Sequence, residues 1–222
     1  MRSPPSRMLH RNSVLLPSIV FLAACTAQNG PAPSSSFAGN AQSRQGQILV
    51  GRQLVMDHGC ADCHSTGVPT ADSPGYMAGV GDDTAQNAFR VGPFITRPKN
   101  LTPDVATGTG SFTERQIFNA LRYGLRPEET PDAEITSHTP GQGNFPAHPH
   151  YLAPPMPWIS FRYMKDDQLR AIASYIKNGL KPVKHKVKDS DGPPDFWASI
   201  YTVDQIGPWP AVKYPAVNET GR

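Results

Sequence analysis

Cys60-Ala61-Asp62-Cys63-His64 is the stretch on which the reading of this chain turns. A C-x-x-C-H run marks a covalent attachment site for haem. Two thiols add to the two porphyrin vinyl groups, and the adjacent histidine reaches the iron from the proximal face. Cys60 and Cys63 are therefore the candidate thioether residues and His64 the candidate proximal ligand. Three other readings use the same residue types. A structural zinc site needs four ligands, and no second C-x-x-C or paired histidine stands at a suitable spacing. A redox C-x-x-C belongs beside a βαβ pattern, which is absent. A disulfide would leave His64 unexplained. The motif occurs once, so one haem c is expected.

Helical patterns flank the motif. Ile48, Gly51 and Val55 share one stripe of a helix expected over about Gln45 to His58. A second helix is expected from Thr113, where Thr113 and Gln116 make a capping box, to Gly124, a suitable residue to end it. A third runs from about Lys165 to Asn178, with Leu169, Ile172, Ala173, Ile176 and Leu180 on its apolar stripe. Asp166 and Asp167 suit its N-terminus, and Lys177 with Gly179 its end. Nothing between these helices alternates well enough for a sheet, so the expected fold is all-α. The segments Ser65 to Phe112 and Arg126 to Phe161 are long for loops in a compact domain, and a buried haem gives them a surface to wrap.

The second axial ligand has several candidates. Met156 lies in Pro154-Pro155-Met156-Pro157-Trp158, where prolines hold the backbone at low entropic cost. His148 and His150 precede it by a few residues and are its rivals. Met56 lies before the attachment site, Met77 in a Gly-rich loop and Met164 at a helix start, where a packing role suits it better. Met/His ligation, with Met156 facing His64, is the favoured arrangement.

The two ends of the chain carry different signals. Met1 to Ser13 holds Arg2, Arg7 and Arg11 and no acid. An apolar run from Val14 to Ala24 follows, too short to cross a bilayer. Residues 1–24 read as a signal peptide. Leu22-Ala23-Ala24-Cys25 looks like a lipoprotein processing site, which makes Cys25 the candidate lipidated N-terminus of the mature chain. Thr26 in the next position fits the outer membrane. From Cys25 to Ser43 the chain is a flexible tether rich in small and polar residues, with a reach of about 20 to 25 Å. The 21 basic and 18 acidic residues become equal once the three signal arginines are removed. The precursor's pI near 8.8 is thus no pointer to nucleic acid. Residues 44–182 form the expected domain. The tail, 183–222, carries Phe196, Trp197, Tyr201, Trp209 and Tyr214, rings expected to pack back onto the domain. Lys181, Lys184, Lys186 and Lys188 could meet an acidic partner or stay solvated.

From about Ile48 to Val183 the chain resembles a class I cytochrome c domain. In particular it is similar to the cytochrome subunits of bacterial membrane-associated alcohol and sugar dehydrogenases. Gly51 to Val55, Asn100-Leu101-Thr102-Pro103-Asp104 with the Gly108 to Gly110 turn, Met156-Pro157-Trp158, and Asp167 to Tyr175 carry the match. The resemblance implies three main helices with long loops around one haem, and a first helix crossing the last where Gly51 nears Tyr175. It also implies that a proline carbonyl, that of Pro93, orients His64. The segment from Pro127 to Pro155 departs from the pattern by its length and by His138, His148 and His150.

With both axial positions filled the iron has no vacancy for oxygen or peroxide, and such a centre exchanges electrons. The expectation is a membrane-tethered periplasmic carrier between a dehydrogenase and a respiratory acceptor, not itself an enzyme. A haem enzyme or gas or redox sensor with a labile or absent distal methionine is one alternative. A non-catalytic subunit of a fixed complex, docking through the aromatic tail, is another.

Overall fold

In a computed structural model the described residues are 43–81, 88–192, 197–202, 205 and 217–220. All belong to one unit of the chain, Ser35–Arg222. The signal segment, Cys25 and the tether to Gln42 lie outside them, as do Phe196, Trp209 and Tyr214.

The first helix, α1, spans Arg44–Asp57 and is capped by Ser43, whose hydroxyl accepts from the Gly46 N–H. Gln47, Gly51 and Val55 form its buried stripe. A short helix, α2, holds the motif itself, Cys60–His64. Then α3 covers Glu114–Tyr123, with both bonds of the Thr113–Gln116 capping box formed and Gly124 ending it at φ 68°. A one-turn α4, Trp158–Phe161, precedes α5, Asp166–Ser174, which runs on into a wider turn over Tyr175–Gly179. Asp166 and Asp167 occupy the first turn of α5, where the helix dipole favours acids.

One element corrects the all-helical expectation. Phe89–Val91 (β1) and Phe94–Thr96 (β2) pair antiparallel as a hairpin, with Phe89 opposite Thr96 and Val91 opposite Phe94. Three residues a side are too few to show alternation in a sequence, and a Gly92-Pro93 turn joins them. Among the described residues the other regular elements are helices, compatible with a cytochrome c-like arrangement.

Packing centres on α1 against α5, with α3 leaning on α5. The crossing depends on Gly51, since a Cβ there would lie 1.9 Å from the Ala171 carbonyl oxygen and 2.8 Å from Tyr175 Cβ. Val55, Leu169 and Ala173 are fully buried in the main core, together with Trp158. A smaller core of Leu125, Ile135 and Phe145 holds the segment after α3, so that long stretch is folded around apolar contacts of its own. Among the described residues no helix is long and apolar enough to cross a membrane.

Beyond α5 the chain stays against the domain as far as Asp191. Val183 to Asp191 forms an extended strap along residues 95–107. The Asn100 amide donates to the carbonyls of Val183 (2.8 Å) and His185 (3.2 Å). The His185 N–H reaches Thr107 Oγ1 at 3.0 Å, and Arg97 donates to the Asp189 carbonyl at 2.6 Å. A final bridge joins Asp191 to Ile95. Val187 faces in and is buried, while Lys184, Lys186 and Lys188 face out. Further on, Trp197 and Tyr201 are buried in the main core beside Trp158 and Phe94. These two rings are interior packing, so they are not available as a docking surface.

Candidate haem-binding site

The helix α1 stops at Asp57, and Gly59 (φ 61°) turns the chain into α2. One helical turn then sets Cys60 and Cys63 at i and i+3, on the same side. Both are free thiols, half-buried, and Cys60 packs against the main core. Burial pushes the Cys60 thiol up to about 11, and desolvation with the Asp62 carboxylate pushes Cys63 upward too. Neither is a low-pKa nucleophile of the kind a redox dithiol uses.

His64 closes α2 and is held twice. Its carbonyl accepts from the Gly79 N–H at 2.7 Å. Its Nδ1 lies 2.8 Å from the Lys99 carbonyl oxygen. A carbonyl can only accept, so Nδ1 carries the proton and the lone pair is on Nε2, the atom free to bind a metal. Burial lowers the His64 pKa and so favours the neutral ring, an effect the Lys99 bond partly offsets. The orienting carbonyl is therefore that of Lys99, not Pro93. The hairpin puts Pro93 at its turn, where its oxygen faces Gly192, and the chain reaches His64 only after Pro98. A backbone acceptor has no side-chain signature, so nothing in the sequence marked Lys99.

The loop after the motif folds back beneath it. Ser65 Oγ accepts from the Met77 N–H (3.1 Å), and Met77 is fully buried with its carbonyl bonded to Leu101 N. Met77 is thus a core residue on the side of His64 and the Asn100 segment. Met56 is exposed on α1. Met164 takes a contact from His58 Nε2 at 3.2 Å, and the His58 ring stacks on Phe161. This His58 link between α1 and α4 was not foreseen.

Met156 is half-buried and packs against the main core. Its N–H donates to the Ala153 carbonyl at 2.9 Å and its carbonyl accepts from Trp158 at 2.8 Å, closing a tight turn. The approach to it is pinned at three points. Arg126 N bonds the His150 carbonyl, Leu152 N bonds the Gly124 carbonyl, and Tyr151 stacks on Trp158 at 5.7 Å. Of the rival ligands, His148 is exposed and His150 is bonded through Nδ1 to the Glu129 carboxylate. Behind the loop a buried guanidinium, Arg122, donates to the carbonyls of Arg162 and Met164 (2.9 Å each) and to Asp166. It ties the end of α3 to both sides of the α4–α5 junction, another contact with no sequence signal. Among the described residues no group of three or more His, Cys, Asp or Glu is placed to hold a metal ion, so a zinc site finds no ligand set there.

The donor set fits a covalently held haem: two protonated thiols one turn apart, a neutral imidazole presenting Nε2, and a thioether beside the same core. Sequence comparison points the same way. Over 199 residues the chain is 25% identical to the gluconate 2-dehydrogenase cytochrome c subunit of Pantoea cypripedii, covering 84% of this chain and 38% of that one. The chain resembles cytochrome c subunits of dehydrogenases. It is 28% identical over 118 residues to the cytochrome c subunit of the quinone alcohol dehydrogenase of Gluconobacter oxydans, covering 53% of this chain and 20% of that one. The fructose dehydrogenase cytochrome subunit of Gluconobacter japonicus is 25% identical over 149 residues, 64% of this chain and 23% of that one. The chain thus spans about two fifths or less of the length of these relatives. No family model matches it.

Proposed function

We propose that this chain is a mono-haem c-type cytochrome that carries electrons between a dehydrogenase and a respiratory acceptor at the periplasmic face of a membrane. Cys60 and Cys63 would hold the haem through thioethers, and His64 Nε2 and the Met156 thioether would be its iron ligands. The haem supplies one-electron chemistry when bound. The chain's contribution is to hold both ligands. The Lys99 carbonyl fixes the imidazole tautomer and angle, and the turn from Ala153 to Trp158 fixes the thioether. Ligands fixed in both redox states keep the reorganisation on electron exchange small. A lipid on Cys25 would tether the domain, and the redox partner would be a dehydrogenase like those whose cytochrome subunits it resembles. The observation that carries the reading is the His64 Nδ1–H bond to a carbonyl, which leaves Nε2 as the ligating atom.

The test is the optical spectrum of the oxidised, haem-loaded protein. The expected result is covalently retained haem with a weak far-red sulfur-to-iron band that is lost in Met156→Ala, with a lower midpoint potential. A wild-type protein without that band, binding carbon monoxide readily, would reject Met156 and support a haem enzyme or sensor.

A further inference from the structure

The two bonds that hold His64 both end on residues lying beneath the C-terminal strap. The Lys99 carbonyl and the Asn100 N–H belong to one planar peptide unit, so whatever orients Asn100 orients the acceptor of the His64 ring. Asn100 is buried, and its side chain is fully used. Its amide nitrogen donates to the Val183 and His185 carbonyls, and its oxygen accepts from the Thr102 N–H (2.9 Å) and hydroxyl (2.8 Å). Gly79, which bonds the His64 carbonyl, has room for no Cβ, because Val187 of the strap and Asn100 N would lie 2.5 and 2.7 Å away. The neighbouring Ala78 carbonyl accepts from His185 Nδ1 at 2.8 Å.

We infer that Asn100 is a positioning residue for the His64 ligand, locking the strap Val183–Asp191 against the peptide unit that presents the Lys99 carbonyl. The inference rests on the haem reading above. A hydrogen bond from the distal ring nitrogen raises the basicity of a metal-bound imidazole. A more basic ligand favours the more highly charged ferric iron, so loosening the bond raises the midpoint potential.

The experiment uses the full-length, haem-loaded protein and two neutral variants. Asn100→Ala removes the amide, and Thr107→Val removes the hydroxyl that accepts from His185 N and from the Asn100 amide (3.2 Å) and donates to Asp104. Asn119→Ala is the matched control. Asn119 is equally buried and donates to two carbonyls, of Pro131 and Ala133 at 2.9 Å each, in the smaller-core region. Both test variants are expected to raise the midpoint potential and to speed solvent exchange of the His64 Nδ1 proton, read by NMR. The control is expected to lower only the melting temperature. Wild-type potential and exchange in Asn100→Ala and Thr107→Val would overturn the inference, as would an equal shift in Asn119→Ala. If Asn100→Ala does not accumulate, Thr107→Val carries the test with the same two outcomes. Absence of covalent haem from the wild-type protein overturns the haem reading itself, whereas unshifted variants of a haem-bearing protein overturn this inference alone.

Discussion

At Gly124 three requirements meet in one residue. It ends α3 with a positive φ, its carbonyl receives Leu152 N, and a Cβ would sit 2.1 Å from the Trp158 ring. The first of these was legible, because a glycine just past an amphipathic stripe is a common helix terminator. The other two depend on partners about thirty residues away. Gly124→Ala should cost about 2 to 5 kcal/mol, from the left-handed backbone and the overpacked ring together, measured by denaturant unfolding. Because Leu152 leads directly to Met156, the same variant should weaken the far-red band. Arg122 makes the complementary case. It lies in the last turn of α3, is 4% exposed and bonds two carbonyls. Arg122→Leu leaves the buried Arg162 carbonyl without that donor. A loss of about 2 to 4 kcal/mol is expected from charged hydrogen bonds of this kind.

The main helices could be read from the sequence because their signals are local. The Thr113–Gln116 box and the Leu169–Ile172–Ala173–Ile176 stripe lie within a few residues of one another, and they form as expected. The hairpin and the strap could not, because their partners are remote or their strands too short. The strap also makes a pH prediction. The Arg97 hydrogen bond holds the Asp191 carboxyl below the usual range, and the Thr107 hydroxyl does the same for Asp104. Carboxylates lowered in the folded state stabilise it above the ordinary Asp range, near pH 4, and that contribution is lost as pH falls through the lowered values. Protection of the strap amides against hydrogen exchange should therefore fall as the pH is taken below about 4, while that of the α3 interior holds over the same interval. Equal loss in both would show that the strap is not separately anchored by these carboxylates.

Over the whole molecule, the candidate site was half legible. Of the proposed haem ligands, Cys60, Cys63 and His64 announce themselves by spacing, and Met156 by its prolines. What holds them is backbone, namely the Lys99 carbonyl, the Gly79 N–H and the Gly124 carbonyl, and a one-dimensional pattern has no mark for these. The expectation that tail aromatics return to the domain is met by Trp197 and Tyr201 among the described residues. Truncation after Pro182 removes both rings and the strap. It should cost about 3 to 6 kcal/mol from the two aromatics alone, measured as a lower denaturation midpoint of the haem-bearing protein.

The strap also sets an order of assembly. Thr66, two residues beyond His64, meets His185 across 119 positions of chain. Contacts so distant in sequence close late, after nearby helices have formed. A chain emerging N-terminus first exposes Cys60 and Cys63 long before residues 183–191 arrive. The wall behind the histidine is then the last part to be laid. On the proposed haem reading, the cofactor would be stitched onto an open chain, and the tail would shut the door behind it.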